Sequence, residues 1–479
     1  MHVTGPAAFC LGMHLAPGLV GICALDDDAA ISATSRSRPL LNGRILPTLV
    51  ALAIPNVIAL SVQSLVAIAE TSYIGLLGTE SLAAMALVFP MIMLTMMLSS
   101  GAIGGGVSSA ISRALGSGDA ARAKAMAMHA LAIGISVGLV LSALLWAFGP
   151  ALYRTLGGSG AVLDQAVAYS GAFFSGAITI WLFNSLVSIA RGTGNMRLPS
   201  ATIVAVGLLQ IAIGAVLSLG LGPFPRLGIR GVAIGQVAAY GVGTLFLVWW
   251  MTRPQARLRL AMQGVRLLPE MFRDILKVGA VACLSPIQSI LVVIILARFA
   301  AAFGTEALAG FGIGVRLELL LVPIAFAIGV ACVPMVGMAI GANNIARARR
   351  VAWTGALLSG GLIGAIGLII ALQPALWGRI FTSDAAVLDA ANTYLSIAGI
   401  GFPAYGIGLC LYFASQGSGK ILGPVLAGTA RLAVVIAGGL WLVATNGTFS
   451  DLAALVACAM LSYGAATALF VHLTRWGKN

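Results

Sequence analysis

Long apolar stretches without a charged residue recur along the whole chain. Past residue 44, twelve stretches of at least 19 residues contain no Asp, Glu, Lys or Arg: 45–69, 81–112, 125–153, 165–190, 198–225, 231–252, 278–297, 319–346, 351–378, 390–419, 432–450 and 452–474. A helix that crosses a bilayer core needs about 20 apolar residues. Strands of a membrane barrel would alternate polar and apolar positions over about ten residues, and these stretches do not. The pattern predicts an all-α integral membrane protein with twelve transmembrane helices.

The composition excludes several other classes of protein. Of 479 residues, 60% are hydrophobic and 9% are charged, against about 25% charged in an ordinary soluble domain. A soluble enzyme, a nucleic-acid reader and a disordered chain are therefore excluded. The six cysteines form no C-x-x-C pair, and no H-E-x-x-H, Walker A or G-x-S-x-G motif is present. We expect no enzyme activity, no cofactor and no metal site.

The placement of the basic residues predicts the orientation in the membrane. If the N-terminus is inside, the inner loops hold 20 of the 27 Lys and Arg residues, among them Arg191 after helix 4, and the outer loops hold 4. Cytoplasmic loops carry such an excess, so both termini are predicted to be cytoplasmic, in an inner or plasma membrane. This bias accounts for the net charge of +13 without a nucleic-acid partner.

The chain repeats itself at an offset of about 225 residues. The matching segments are GTESLA at 78–83 with GTEALA at 304–309, LGSGDAARA at 115–123 with IGANNIARA at 340–348, and ARGTGNMRLP at 190–199 with SQGSGKILGP at 415–424. Each half contains six spans, an even number, so both halves enter the membrane from the same side. This predicts two parallel six-helix repeats around an axis along the membrane normal, which is a transporter architecture.

The repeat also divides the chain into four parts. Residues 1–25 are free of charge but rich in Gly and Pro, with no basic region before them, so we interpret 1–40 as a flexible tail; a signal peptide or a misassigned start is the alternative. The other parts are an N-lobe of helices 1–6, a basic cytoplasmic linker and a C-lobe of helices 7–12, at 41–252, 253–272 and 273–479.

These motifs resemble the multidrug and toxic compound extrusion (MATE) family from near Asn42 onwards. The resemblance rests on IPNVIALSVQSLVAIAETSYIGLLGTESLAA from helix 1, LGSGDAARA after helix 2, RGTGNMRLP after helix 4, FRDILKVG opening helix 7 and GIGVRLELLLVP in helix 8. The major facilitator superfamily also has two six-helix halves, but its Asp-Arg-x-Gly-Arg-Arg-type loop has no match at 112–119. The resemblance implies antiport of organic cations or drugs against protons or sodium, by two lobes around a central cavity.

Glu70 is the candidate coupling residue. A carboxylate near the middle of a bilayer costs about 2.5–3.5 kcal/mol on insertion scales, so each one needs an explanation. Asn56, Gln63 and Glu70 follow each other at intervals of seven, which places them on one face of helix 1. Because burial disfavours the charged form of a carboxylate, Glu70 can take up a proton, as a proton-coupled antiporter requires. The alternative is a solvated residue near the outer surface.

Glu318 and Arg431 are the corresponding charges of the C-lobe. Glu318 lies 14 residues past Gly304, roughly 20 Å into helix 8, and Arg431 lies seven residues past Pro424 on helix 11. Both reach the middle of the lobe, which predicts an ion pair. Two interpretations stay open: a fixed structural pair, or a Glu318 that contacts a cationic substrate or a coupling ion.

Departures from the family favour protons over sodium as the coupling ion. One branch of the family has a carboxylate in helix 7, where this chain has Ser289 beside Gln288, and an Asp in helix 10, where it has Tyr405. The other branch has an Asn and an Asp in helix 5, where the nearest polar residue is Gln210. Of these acidic positions, only the one in helix 1 keeps an acid, as Glu70 in place of Asp.

Several uncharged residues are candidates for the lining of the cavity, together with Gln210 and Gln288. Tyr405 and Tyr412 lie two turns apart on helix 10 and predict either core packing or cation–π contact with a flat organic cation. Asn184 in helix 4 predicts either a cavity residue or a hydrogen bond between helices.

The function predicted from the sequence is secondary antiport. The chain is expected to act as a monomer that exports organic cations or drugs by alternating access, in exchange for protons or sodium. The alternative is a flippase-like exporter of a lipid-linked or other amphiphilic substrate. Such flippases need a strongly basic cavity, whereas the few charges within the spans are of both signs, which favours cations.

Overall fold

The computed structural model describes residues 40–260 and 266–477, and this part of the chain is helical without strands. The helices that span or nearly span the molecule are numbered here α1–α12. They are α1 (Ile45–Gly75), α2 (Thr79–Gly116), α3 (Ala120–Thr155), α4a (Gly160–Ser175) with α4b (Ala177–Gly192), α5 (Arg197–Leu219), α6 (Ile229–Thr252), α7 (Pro269–Ala301), α8 (Thr305–Gly341), α9 (Ile345–Leu372), α10 (Ala385–Ser418), α11 (Leu422–Ala444) and α12 (Phe449–Leu473).

These helices confirm the predicted fold class of twelve membrane helices. Eleven are long and apolar enough to cross a bilayer as they stand, and α4a and α4b form the twelfth span with a bend of 49° between them. Gly176 separates the two halves of this span. Three other spans contain irregular turns: a π-helical segment at Met97–Ile103 in α2, a turn at Cys283 in α7 and a 3-10 turn at Gly399–Gly401 in α10. A one-turn helix, Ala375–Gly378, lies between α9 and α10.

The linker between the lobes is anchored to the first lobe. Helix α7 begins at Pro269, four residues before the predicted boundary at 273, and proline is well suited to a first helical turn because it needs no hydrogen-bond partner for its nitrogen. The backbone N–H of Leu268 donates to Nε2 of the buried His129 in α3, at 2.8 Å. The predicted tail lies outside the described residues except for Leu40, whose carbonyl accepts two hydrogen bonds from Arg347.

The internal repeat is visible in equivalent local structures. The side chain of Asp119 accepts from the backbone N–H of Arg122 and so caps α3. In the second half, Asn344 accepts from the N–H of Arg347 and caps α9 in the same way. Asp119 is 225 positions before Asn344, and Arg122 is 225 positions before Arg347. The predicted register of the repeat is therefore correct at these caps.

Helices α2 and α8 cross each other at close backbone contact. A Cβ atom added to Gly116 would lie 2.7 Å from the Cα of Met338, and one added to Gly341 would lie 2.9 Å from the backbone nitrogen of Ser117 and 3.0 Å from the carbonyl carbon of Arg113. Gly116 is equivalent to Gly341 in the repeat, and Arg113 is equivalent to Met338. The crossing therefore lies on the pseudo-twofold axis, and each glycine makes room for the partner helix.

The described hydrogen bonds between the two halves lie towards one end of the bundle. We call this the basic end, because it carries the start of α1, the end of α12 and the loops that hold most Lys and Arg residues. Here Ser109 of α2 donates to the carbonyl of Gln416 in α10, and Gln416 donates through Nε2 to the carbonyl of Gly101 at 3.1 Å. An exposed ion pair between Arg122 and Asp274 joins α3 to α7. The lobes are thus held together at the basic end.

Substitution of Gly116 by alanine tests the crossing. The added methyl group would collide with the backbone of α8, and overpacking of this kind costs about 1–3 kcal/mol. Gly116→Ala is expected to lower the midpoint of thermal unfolding in detergent. Gly312→Ala is the matched control, because a Cβ at Gly312 in α8 meets nothing within 4 Å. Equal unfolding midpoints for the two variants would contradict the close crossing.

Candidate functional site

The N-lobe buries a carboxylate among neutral hydrogen-bond donors. Glu70 of α1 is 7% exposed, and its Oε1 accepts from Nε2 of Gln210 in α5 at 2.7 Å and from the hydroxyl of Tyr73 at 3.4 Å. The salt bridge between Arg122 and Asp274 is the one found in the described residues, so no described Lys, Arg or His nitrogen lies within 4.0 Å of the Glu70 carboxylate. The predicted residues Glu70 and Gln210 are therefore in direct contact.

The polar stripe predicted on α1 does not form a single site. Asn56 is buried, and its Oδ1 accepts from Arg191 and from Ser200 at 3.3 Å each. It lies about 21 Å along the helix from Glu70. Gln63, between them in sequence, is exposed. The stripe thus serves two separate polar clusters, one near each end of the lobe.

The C-lobe contains a small cavity of about 40 Å³. Four of the predicted residues line it, Gln288, Tyr405, Tyr412 and Arg431, together with Tyr463. Nε2 of Gln288 donates to Thr429 at 2.8 Å, while its Oε1 has no hydrogen-bond partner. This volume accommodates a few water molecules rather than an organic cation, so the cavity is closed to a drug-sized molecule in this conformation.

The predicted ion pair between Glu318 and Arg431 is not formed. No nitrogen of Arg431 lies within 4.0 Å of the Glu318 carboxylate, which accepts instead from the hydroxyl of Tyr394 at 2.9 Å. The guanidinium carbon of Arg431 lies 4.9 Å from the ring centre of Tyr405 and 5.9 Å from that of Tyr463. The protein's own arginine therefore lies over the ring of Tyr405, for which core packing and cation–π contact with an organic cation were the two predicted roles. Tyr463 was not predicted, because it stands alone in the apolar sequence of α12.

Asn184 and Tyr412 make structural contacts. Nδ2 of Asn184 in α4b donates to Oγ of Ser99 in α2 at 2.8 Å, which is the hydrogen bond between helices that was one of its two predicted roles. The hydroxyl of Tyr412 donates to the carbonyl of Ala282 at 3.2 Å, across to α7. Both side chains are buried, and both hold helices of one lobe together.

Arg191 is a buried charge that sequence reasoning missed. It was assigned to an inner loop, but it lies in the last turn of α4b and is 5% exposed. It lines a second, smaller pocket at the seam between the lobes, together with Gln416 of α10. The one feature of the sequence that could have indicated its burial was its equivalence to Gln416 in the repeat. Within the described residues, no group of three or more His, Cys, Asp or Glu side chains is arranged to hold a metal ion.

Comparison with known proteins agrees with this architecture. The MatE family model matches the chain twice, at residues 55–216 and 280–441, and the two matches are 225 residues apart. A protein named FAD transporter from Shewanella oneidensis is 26% identical over 71% of this chain and 74% of its own length. A probable multidrug resistance protein NorM from Thermotoga maritima is 26% identical over 67% of this chain and 69% of its own. A solved MOP superfamily transporter from Pyrococcus furiosus has the same fold, with a TM-score of 0.83, 23% identity, and coverage of 91% of this chain and 97% of the other.

A double-mutant cycle on Asn184 and Ser99 tests the structural role of Asn184. Hydrogen bonds between membrane helices average about 0.6 kcal/mol and reach about 1.7 kcal/mol in such cycles. We expect a coupling energy in this range from the unfolding free energies of Asn184→Ala, Ser99→Ala and the double variant. Transport is expected to persist in all three. Additive stability effects combined with a loss of transport in Asn184→Ala alone would indicate a cavity residue instead.

Proposed function

Because the chain belongs to the multidrug and toxic compound extrusion family of membrane transporters, we propose that it exports organic cations in exchange for protons. The observation that carries this proposal is the buried Glu70 carboxylate, which contacts neutral donors and no described basic group. A negative charge inside a membrane protein is costly unless it has a partner. A cation or a proton supplies that partner, and the two compete for the same carboxylate.

Competition at Glu70 provides the coupling step. When a proton binds, the cluster of Glu70, Gln210 and Tyr73 becomes neutral, and a bound organic cation loses its counter-charge and leaves. When the proton leaves, the negative charge returns and a new cation binds. Gln210 donates at 2.7 Å and holds the carboxylate in place during both steps, since its amide can donate to either form.

Protons are favoured over sodium by the number of acids near Glu70. Hard cations are held by several oxygen ligands, often more than one carboxylate, and Glu70 is the one acid of its described cluster. Glu318 belongs to α8 of the other lobe, where its carboxylate accepts from the hydroxyl of Tyr394. One carboxylate with two neutral donors suits a single proton.

The conformation fits a transporter that faces outwards. We infer from the excess of Lys and Arg that the basic end is cytoplasmic, with both termini inside and the protein in the plasma or inner membrane. The hydrogen bonds between the lobes are at that end. Alternating access then requires the crossing of α2 and α8 to separate, so that a substrate enters from the cytoplasm to reach the N-lobe. We propose that one chain suffices for this cycle.

A second candidate function is flippase-like export of a lipid-linked or other amphiphilic anion. Arg191 and Arg431 are 5% and 7% exposed, and neither has a described carboxylate within 4.0 Å. A relative at 26% identity is named an FAD transporter. Two buried guanidinium groups would suit an anionic aromatic molecule, whereas Glu70 suits a cation.

Substitution of Glu70 tests the coupling role. Glu70→Gln removes the charge and keeps the shape, so proton-driven efflux of a fluorescent organic cation from proteoliposomes is expected to fall to the level of empty liposomes. Glu70→Asp keeps the charge and is expected to retain partial transport. The control is Glu306→Gln, the same change at an exposed acid, with wild-type rates expected. Full export by Glu70→Gln would exclude the assignment.

Imposing one ion gradient at a time identifies the coupling ion. A proton gradient alone is expected to drive the cation, and a sodium gradient alone is expected to have no effect. Transport on sodium only would rule out proton coupling and direct attention to Glu318. If neither gradient moves the cation while an anionic amphiphile is exported, the second candidate function replaces the first.

A further inference from the structure

The pocket at the seam between the lobes is built from equivalent residues of the two repeats. Its lining includes four pairs that are each separated by 225 positions, namely Gly105 with Val330, Ser108 with Val333, Ser188 with Phe413 and Arg191 with Gln416. The pocket therefore lies on the pseudo-twofold axis, next to the crossing of α2 and α8. A ligand bound there touches both lobes at once.

The two walls of this seam pocket differ in chemistry. The N-lobe contributes the hydroxyl groups of Ser108 and Ser188 and the guanidinium of Arg191, whereas the C-lobe contributes Val333, Phe413 and the neutral amide of Gln416 at the equivalent positions. Positive charge and hydroxyl groups on one side thus face a neutral and mostly apolar wall on the other. Such surroundings suit a small anion better than a cation.

Several buried polar atoms around the pocket have no hydrogen-bond partner among the residues that the structure describes. They are Nε of Arg191, Oγ of Ser108 and Oε1 of Gln416, on side chains that are 5%, 4% and 0% exposed. The one hydrogen bond found for the Arg191 guanidinium, to Asn56 through a terminal nitrogen, is 3.3 Å long. Buried polar atoms are rarely left without partners. The Nε–H of Arg191 and the hydroxyl of Ser108 are donors, and two donors without a partner on one pocket indicate a ligand that accepts hydrogen bonds.

The charge of Arg191 strengthens this argument. Removing a guanidinium from water costs several kcal/mol unless an opposite charge compensates for it, and no described carboxylate lies within 4.0 Å. Oε1 of Gln416 is directed at the space beside Gly105, where an added Cβ would lie 2.6 Å from Cδ of Gln416. The amide oxygen therefore packs against α2 and leaves the Nε–H of Arg191 as the charged donor of the pocket.

We propose that the seam pocket binds a single small anionic group, with Arg191 and Ser108 as its donors. The cavity volume of about 10 Å³ is roughly the least that holds one water molecule, so the ligand is a chloride ion or the tip of a carboxylate. The group comes either from a free anion or from the transported molecule. This inference does not depend on export of cations, because it concerns the other end of the N-lobe from Glu70.

A bound anion would stabilise the conformation in which the basic end is closed. It would lie between α2 and α4b of one lobe and α8 and α10 of the other, and its site is divided when these helices separate. Binding to one conformation and not to the other shifts the balance between them. The anion would thus act as a removable contact between the lobes.

The test begins with the free anion and the purified full-length protein. Thermal unfolding in detergent is measured in sodium chloride and in sodium methanesulfonate at equal ionic strength, since a tetrahedral sulfonate group is too large for the pocket. Wild-type protein is expected to show a saturable rise in the midpoint of about 2 °C or more with chloride. The rise is expected to disappear in Arg191→Gln and to shrink in Ser108→Ala. It should persist in Arg197→Gln, which changes an exposed arginine of the same segment.

A second measurement covers an anionic group on the transported molecule. If chloride has no effect, Arg191→Gln is compared with Arg197→Gln in the export of carboxyfluorescein and of a cationic dye from proteoliposomes. A higher KM in Arg191→Gln for carboxyfluorescein, but not for the cationic dye and not in Arg197→Gln, would support the site with the substrate as the source of the anion. If Arg191→Gln does not fold, Ser108→Ala replaces it in both assays. No chloride effect together with unchanged KM values would overturn the proposal and leave the pocket as a site for water.

Discussion

The close crossing of α2 and α8 is the constraint on which the rest of the molecule depends. Gly116 and Gly341 bring two backbones into contact at equivalent points of the repeat, and no side chain larger than hydrogen is accommodated at either point. Because the contact lies on the pseudo-twofold axis, it determines how both lobes are placed. Ser109, which donates to the carbonyl of Gln416, lies about two turns of α2 from Gly116, and the seam pocket is lined by residues of the same two helices.

Around this axis the two lobes share a backbone plan but differ in their polar residues. The N-lobe holds an acid among neutral donors, with Glu70 against Gln210 and Tyr73. The C-lobe holds Glu318 bonded to Tyr394, with Arg431 lying over two tyrosine rings. Because each lobe buries its own set of charges, the halves cannot have identical roles in transport, even though their caps and turns are equivalent.

The features predicted correctly from the sequence are those whose change would cost the most free energy inside a membrane. Twelve charge-free stretches became twelve spans, and the isolated acid Glu70 proved to be buried. The pairing of Glu318 with Arg431 failed because depth along a helix gives the height of a side chain and not the direction in which it points. Tyr394, at the same height, was the nearer partner. Arg191 was taken for a loop residue because its neighbours in the fold, Asn56 of α1 and Gln416 of α10, are more than 130 positions away in sequence and leave no local pattern.

The seam pocket has a consequence for how such a chain could have arisen. In a symmetric pair of identical six-helix subunits, every residue on the axis occurs twice, and an arginine there would face another arginine across a few ångströms of low-dielectric space. Repulsion between the two charges would destabilise that pair. Fusion of the two copies into one chain removes this restriction, because each copy can then change alone. Arg191 opposite Gln416 is a combination that two identical copies cannot provide, so a single positive charge on the axis marks a step that followed duplication.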